Sequence, residues 1–173
     1  MSKHSAAQLA HLKSEVLTAN ADTRAAALAA LTAVGGEDVF AFYLSLLDSA
    51  DQWLRNAIAI ELKRLGDARA VESLFCAALE PTNIGANGTL MYVLRSFDCR
   101  QYLPQLFEII LHHGYEALLM AVWIVDEQEF TPDAAMRRDL RAAVAQARQH
   151  PSPALLEFGI EELAELADAV LAD

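Results

Sequence analysis

Asp51-Gln52-Trp53-Leu54-Arg55-Asn56-Ala57-Ile58-Ala59-Ile60-Glu61-Leu62-Lys63-Arg64-Leu65-Gly66-Asp67 is the stretch that decides the fold. Leu54, Ile58, Leu62 and Leu65 recur at steps of three and four, which places them on one face of a helix. Gly66 follows as a helix-ending glycine, and Asp67 is a side-chain acceptor suited to open the next helix. Val71, Leu74, Phe75 and Leu79 then form a second apolar face. Two helices this short cannot bury both faces alone, so the pattern predicts pairs that stack on neighbouring pairs.

The rest of the chain repeats the pattern. At a shift of 31 residues Arg24 falls on Arg55, Ala26 on Ala57, Leu31 on Leu62, Val34 on Leu65 and Gly35 on Gly66. Phe40, Tyr43 and Leu44 fall on Val71, Leu74 and Phe75 in the same register. At a shift of 32 Leu62 falls on Leu94, Leu65 on Phe97, Val71 on Leu103, Leu74 on Leu106, Phe75 on Phe107 and Leu79 on Leu111, while Asn87 stands where the arginine was. Self-similarity at such a period is the mark of a repeat architecture.

The acid Asp51, the arginine Arg55, the small Ala57, the Leu62–Leu65 spacing and the Gly66-Asp67 break resemble a HEAT repeat of the short bacterial form, also found in bilin-lyase-type proteins. Asp22–Gly35 is a second match, Gly88–Asp98 is degenerate, and Gly114–Glu127 is recognisable by position. The resemblance implies an all-α, right-handed α-solenoid of about four helix pairs in one domain, residues 1–173. The units are expected at about 20–50, 51–83, 84–113 and 114–150, with capping helices at 5–19 and 154–171. It also implies a polar ladder between neighbouring repeats, to which Asp22, Arg24, Asp51 and Arg55 are assigned. Leu9, Leu12, Val16 and Leu17 are expected to face inward from the first helix, and Trp123 to be core.

Composition agrees with helices. Hydrophobic residues make up 54% and charged residues 21%, with only 7 Gly and 5 Pro; alanine is abundant and strand signals are weak. The net charge is −11. A duplex nucleic-acid binder needs a basic face to displace phosphate counterions, and the one short basic stretch, Arg137, Arg138 and Arg141, is interrupted by Asp139. A basic protein suits the charge better. The opening residues lack the apolar run of a signal peptide, no apolar stretch is long enough to span a membrane, and Cys76 and Cys99 form no disulfide framework. A cytoplasmic setting is expected.

Catalytic and metal chemistry find little purchase. His4, His11, His112, His113 and His150 do not form a zinc-ligand pattern; the adjacent His112 and His113 diverge on a helix. Asp126, Glu127 and Glu129 read as a solvated acidic loop rather than a calcium site, because the loop has neither the EF-hand spacing nor a shaping glycine. No phosphate loop or nucleophile elbow occurs. The repeat also resembles that of alkylpurine DNA glycosylases, whose basic groove is missing here. No metal, cofactor or catalytic residue is expected.

The repeat register offers binding candidates instead. In HEAT repeats the second helices line the concave face, and stacking would set Asp38, Arg69 and Gln101 in one row. Phe42, Ser73 and Gln105 form the next, followed by Ser45, Cys76 and Glu108. Trp53 is a candidate anchor, since tryptophan buries much area in one contact. The last helix carries an acidic stripe, Glu157, Glu161, Glu165 and Asp168, beside Glu162 and Asp173. Arg137, Arg141 and Arg148 of the preceding helix are positioned to pair with it. The expected function is a non-catalytic protein-binding scaffold. The specific expectation is a small acidic inhibitor or immunity-type protein that neutralises a basic partner such as a toxin. The alternatives are a bilin-lyase-like or other groove-based enzyme and a general adaptor.

Overall fold

The computed structural model describes residues 6–18 and 20–172. His4, Asp173 and the two end residues of the expected first helix, Ser5 and Ala19, lie outside them. Eleven α-helices occur among the described residues, without strands: α1 (Ala6–Thr18), α2 (Ala21–Val34), α3 (Glu37–Leu44), α4 (Gln52–Leu65), α5 (Ala70–Leu79), α6 (Gly88–Leu94), α7 (Leu103–His112), α8 (Tyr115–Glu127), α9 (Ala134–Gln149), α10 (Pro153–Phe158) and α11 (Ile160–Val170). Two compact units, Met1–Ser73 and Leu74–Asp173, divide the chain.

In the first unit α2 packs on α1, α3 and α4, and α3 on α4. The stripe read from the sequence is the core here: Ile58 and Leu62 are fully buried, with Leu31 and Val39. Gly66 ends α4 at φ +67, the left-handed region that glycine enters without a Cβ penalty. Of the four apolar positions expected to face inward from α1, only Val16 is buried; Leu17 is 50% exposed. The helix shows one narrow stripe to α2, and Leu17 lies beside it.

A polar network that patterning cannot reveal crosses this core. Thr32 of α2 donates to Glu61 of α4 at 2.7 Å. That uses the only hydroxyl hydrogen of Thr32, so the Tyr43 hydroxyl, 2.8 Å from Thr32 Oγ1 and 2.8 Å from the Leu28 carbonyl, supplies the hydrogen they share. Arg64 pairs with the far oxygen of Glu61. Each of α2, α3 and α4 contributes a member, so the network fixes their rotation about one another.

In the second unit α8 is central, packing on α6, α7, α10 and α11, while α9 packs on α7 and α11. α5 ends without a glycine. Its terminal carbonyls are met instead by two buried asparagine amides from the following loop: Asn83 Nδ2 donates to Ala77 O at 2.7 Å, and Asn87 Nδ2 to Ala78 O at 2.8 Å. Asp67 does not cap α5 as expected. It accepts from Arg69 N at 3.0 Å in a local turn and grips the same residue's guanidinium. Asp98 and Arg100 repeat this device, and the arginine holds the Asp98 carboxyl down at about 2.

The expected single last helix is two. Gly159, at φ +117, separates α10 from α11, and a Cβ there would lie 1.9 Å from Glu162 Oε2. The carboxylate end of Glu162 could swing aside, but the positive φ is one that residues with a Cβ rarely adopt, so the chain turns at this glycine and continues. Trp123, expected in the core, is 43% exposed; α8 is apolar nearly all round, and its tryptophan falls on the outer side, under the Arg95 guanidinium 4.8 Å from the ring centre.

Two buried acids set the alkaline limit of stability. Burial raises the Tyr43 hydroxyl from 10.0 to about 12, and burial followed by the nearby Asp98 charge raises the Cys99 thiol from 9.0 to about 12. The unfolded chain therefore releases these protons before the folded one does. Stability should be intact below about pH 9 and decline as pH rises towards 12. Urea midpoints followed by circular dichroism across that range check this, and Cys99→Ala should delay the onset to about pH 10.

Candidate functional site

The expected ladder forms in part. Asp51 caps α4 by accepting from Leu54 N at 3.1 Å, and Arg24 of the preceding repeat reaches it at 2.8 Å. The cap bond, followed by Arg24, holds the Asp51 carboxyl below its ordinary range. Arg55 is buried, and its guanidinium is 3.5 Å from the Ser49 carbonyl. Asp22 stays exposed in the first turn of α2.

The row positions of the first unit are tied up locally. Asp38 pairs with Lys13 at 2.8 Å, and the same ammonium stands 5.2 Å from the centre of the Phe42 ring. Ser45 donates to its own turn at Phe42 O. Arg69 lies 4.5 Å from the Phe40 ring centre and pairs with Glu37 and Asp67. Ser73 is half-buried. Trp53 is 43% exposed beneath Arg24, 5.3 Å from the ring centre. Among the row positions of the second unit, Gln101 is exposed, Gln105 half-buried, and Glu108 exposed 3.8 Å from His112. Cys76 and Cys99 are free thiols, the first exposed and the second buried.

The histidine pair diverges as its adjacency dictates. His112 points outward, while His113 is buried with Nδ1 2.7 Å from Asn87 Nδ2. The Ala78 carbonyl can only accept, which fixes the Asn87 amide with its nitrogen towards both partners. His113 Nδ1 is therefore the acceptor and its proton sits on Nε2. Burial lowers the His113 pKa. Among the described residues no three His, Cys, Asp or Glu side chains gather to hold a metal ion. Asn87 occupies the place of the repeat arginine, so the third repeat replaces a ladder cation by a buried amide.

Glu157 stands on α10, apart from Glu161, Glu165 and Asp168 on α11, so the acidic stripe is not one helix face. Of the α9 arginines, Arg148 approaches Glu161 at 3.9 Å. Arg141 instead donates to the Leu171 carbonyl at 2.6 Å, and Arg137 to the carbonyls of Pro132 at 3.0 Å and Ala172 at 3.5 Å. Two cations are thus spent on the carbonyl end of α11, where the helix dipole is negative. The acids further along remain uncompensated. A groove of about 380 Å³ is lined by Asp126 and Val122 of α8, Phe158 of α10, and Glu162, Glu165, Leu166 and Ala169 of α11. None of its three carboxylates makes an ion pair with another described residue. Asp126 belonged to a loop cluster in the sequence; nothing local predicts that it meets Glu162 and Glu165.

Residues 9–85 match the family model described as HEAT repeats. Residues 9–85 are thus similar to HEAT repeats. No curated protein matches it. The matched segment spans α1 to α5, and Arg24 on Asp51 joins the two HEAT-like repeats whose arginines the sequence overlays. No helix among the described residues is long and apolar enough to cross a membrane.

Proposed function

We propose that this protein is a non-catalytic scaffold that binds a basic protein, in the manner of a small inhibitor or immunity-type protein masking a toxin. HEAT repeats suggest a protein-interaction role. The observation that carries the basic partner is the α8–α10–α11 groove, where Asp126, Glu162 and Glu165 stand unpaired around Val122, Phe158, Leu166 and Ala169. An apolar floor with an acidic rim suits a cationic surface that also carries an apolar anchor. Phe42, Trp53 and Glu108 supply further contact positions. Two free thiols suit a reducing, cytoplasmic setting.

Capture from the native host followed by mass spectrometry identifies the partner. Its association rate should fall steeply as salt rises past about 0.15 M, where the screening length is about 8 Å. The combined change Asp126→Asn, Glu162→Gln, Glu165→Gln should slow association about tenfold while the melting temperature holds, because three charges vanish with little change of shape. An acidic partner, or association indifferent to both salt and the triple change, overturns the reading.

A further inference from the structure

A hollow of about 130 Å³ lies where the loop around Asn87 meets the first turn of α8, away from the acidic groove. We propose that it binds a primary carboxamide, the end of a glutamine side chain of a partner protein.

The first turn of α8 supplies donors. Gly114 opens the helix without a side-chain cap, so the amide hydrogens of Tyr115, Glu116 and Ala117 have no carbonyl within the helix to bond. All three residues line the hollow. The loop supplies an acceptor. Asn87 also lines the hollow and is fully buried. Its amide nitrogen is committed to the Ala78 carbonyl and to His113 Nδ1, and the Oδ1 left over has no hydrogen-bond partner. A buried acceptor without a donor is costly, and a ligand hydrogen repairs it. Glu116 brings a second acceptor: it makes no ion pair with another described residue, and its Oε2 lies 2.9 Å from where a Cβ of Gly88 would stand. Glycine keeps the space open at Gly114 as well, where a Cβ would lie 3.2 Å from the Gly85 Cα.

This set of groups selects against charge. An anion would suit the start of α8 but meet the Glu116 carboxylate. A cation would suit Glu116 but meet the positive end of the helix dipole. A primary carboxamide satisfies both sides: its carbonyl oxygen accepts from the first-turn amides, and its two N–H groups donate to Asn87 Oδ1 and to Glu116. An adjoining groove of about 320 Å³ shares Gly88 and Glu116 and is lined further along by Leu119 and Met120. Those two give an apolar bed to the methylenes of a glutamine stem. The stem, with the interaction role that HEAT repeats suggest, favours a protein side chain over a free amide. A neutral occupant owes nothing to the acidic groove, so this hollow and the basic-partner reading fail separately.

The test is a nuclear magnetic resonance titration of the full chain at neutral pH. N-acetyl-glutamine methylamide should shift the Tyr115, Glu116 and Ala117 amides. N-acetyl-glutamate methylamide, equal in size but charged, should bind about fivefold more weakly, the size of one partly exposed charge contact. Propionamide, the head group without a peptide, should bind no more tightly than the glutamine probe. Glu116→Gln should narrow the gap between glutamine and glutamate with the melting temperature unchanged. Gly114→Ala, checked for helix content by circular dichroism, should weaken glutamine binding. Shifts confined to other surfaces, glutamate binding as tight as glutamine, or an unaltered gap in Glu116→Gln overturns the proposal; tighter binding of propionamide overturns the protein source.

Discussion

Leu62→Ala should destabilise the folded chain by about 2–5 kcal/mol, because it removes a fully buried side chain and leaves a cavity that its neighbours fill only in part. Leu62 stands on α4, the helix that packs against both α2 and α3. The adjacent Glu61 is tied to Thr32, and through it to Tyr43. That network resists the rotation of α4 that would let the cavity close, so the cost should lie above the lower end of the range. Chemical denaturation gives the number. A loss below about 0.5 kcal/mol, the size of a surface effect, would refute the packing register.

Asn87→Leu should cost about 2–5 kcal/mol, despite putting a hydrophobic residue into a buried place. The Ala78 carbonyl and His113 Nδ1 would each lose a donor, and each stranded buried acceptor costs about 1–3 kcal/mol. The change should also alter the acid side of the stability profile. Burial holds the His113 pKa below its ordinary 6.5, so the unfolded chain takes up this proton first. Its contribution to stability is present above about pH 6.5 and is lost as pH falls below that value. With Asn87 replaced, Nδ1 is free to take a proton in the folded state, and the decline should flatten. Urea midpoints at about pH 5 and 7 for both forms check this. A wild-type slope retained in full by the variant would show that the amide does not govern the ring.

Periodicity carried most of the architecture because it reports burial, and burial drives helix stacking. The Leu54–Leu65 stripe and the Gly66 stop were legible at the repeat spacing, and the Arg24–Asp51 link followed from the family resemblance. The break at Gly159 was hidden because Leu155, Leu163 and Leu166 keep a helical spacing across it; the positive φ that calls for the glycine shows only in the folded backbone. Trp123 was misplaced because a helix that is apolar all round gives no direction to its faces. The groove acids were missed for another reason. Asp126 and Glu165 are 39 positions apart, and only the tertiary packing of α8 against α11 brings them together. Asp67 was read as the opening of the next helix; its grip on Arg69, which Asp98 and Arg100 repeat 31 positions on, was not anticipated.

The contrast between the two thiols makes the native chain a ready-made optical reporter. Cys76 is exposed on α5, while Cys99 is buried with its thiol pushed up to about 12, so at neutral pH the thiolate that attacks a maleimide dye comes from Cys76 alone. One fluorophore per molecule follows without mutagenesis. Its emission then gives binding isotherms for basic proteins at nanomolar chain concentrations, and the unlabelled surface stays as nature built it.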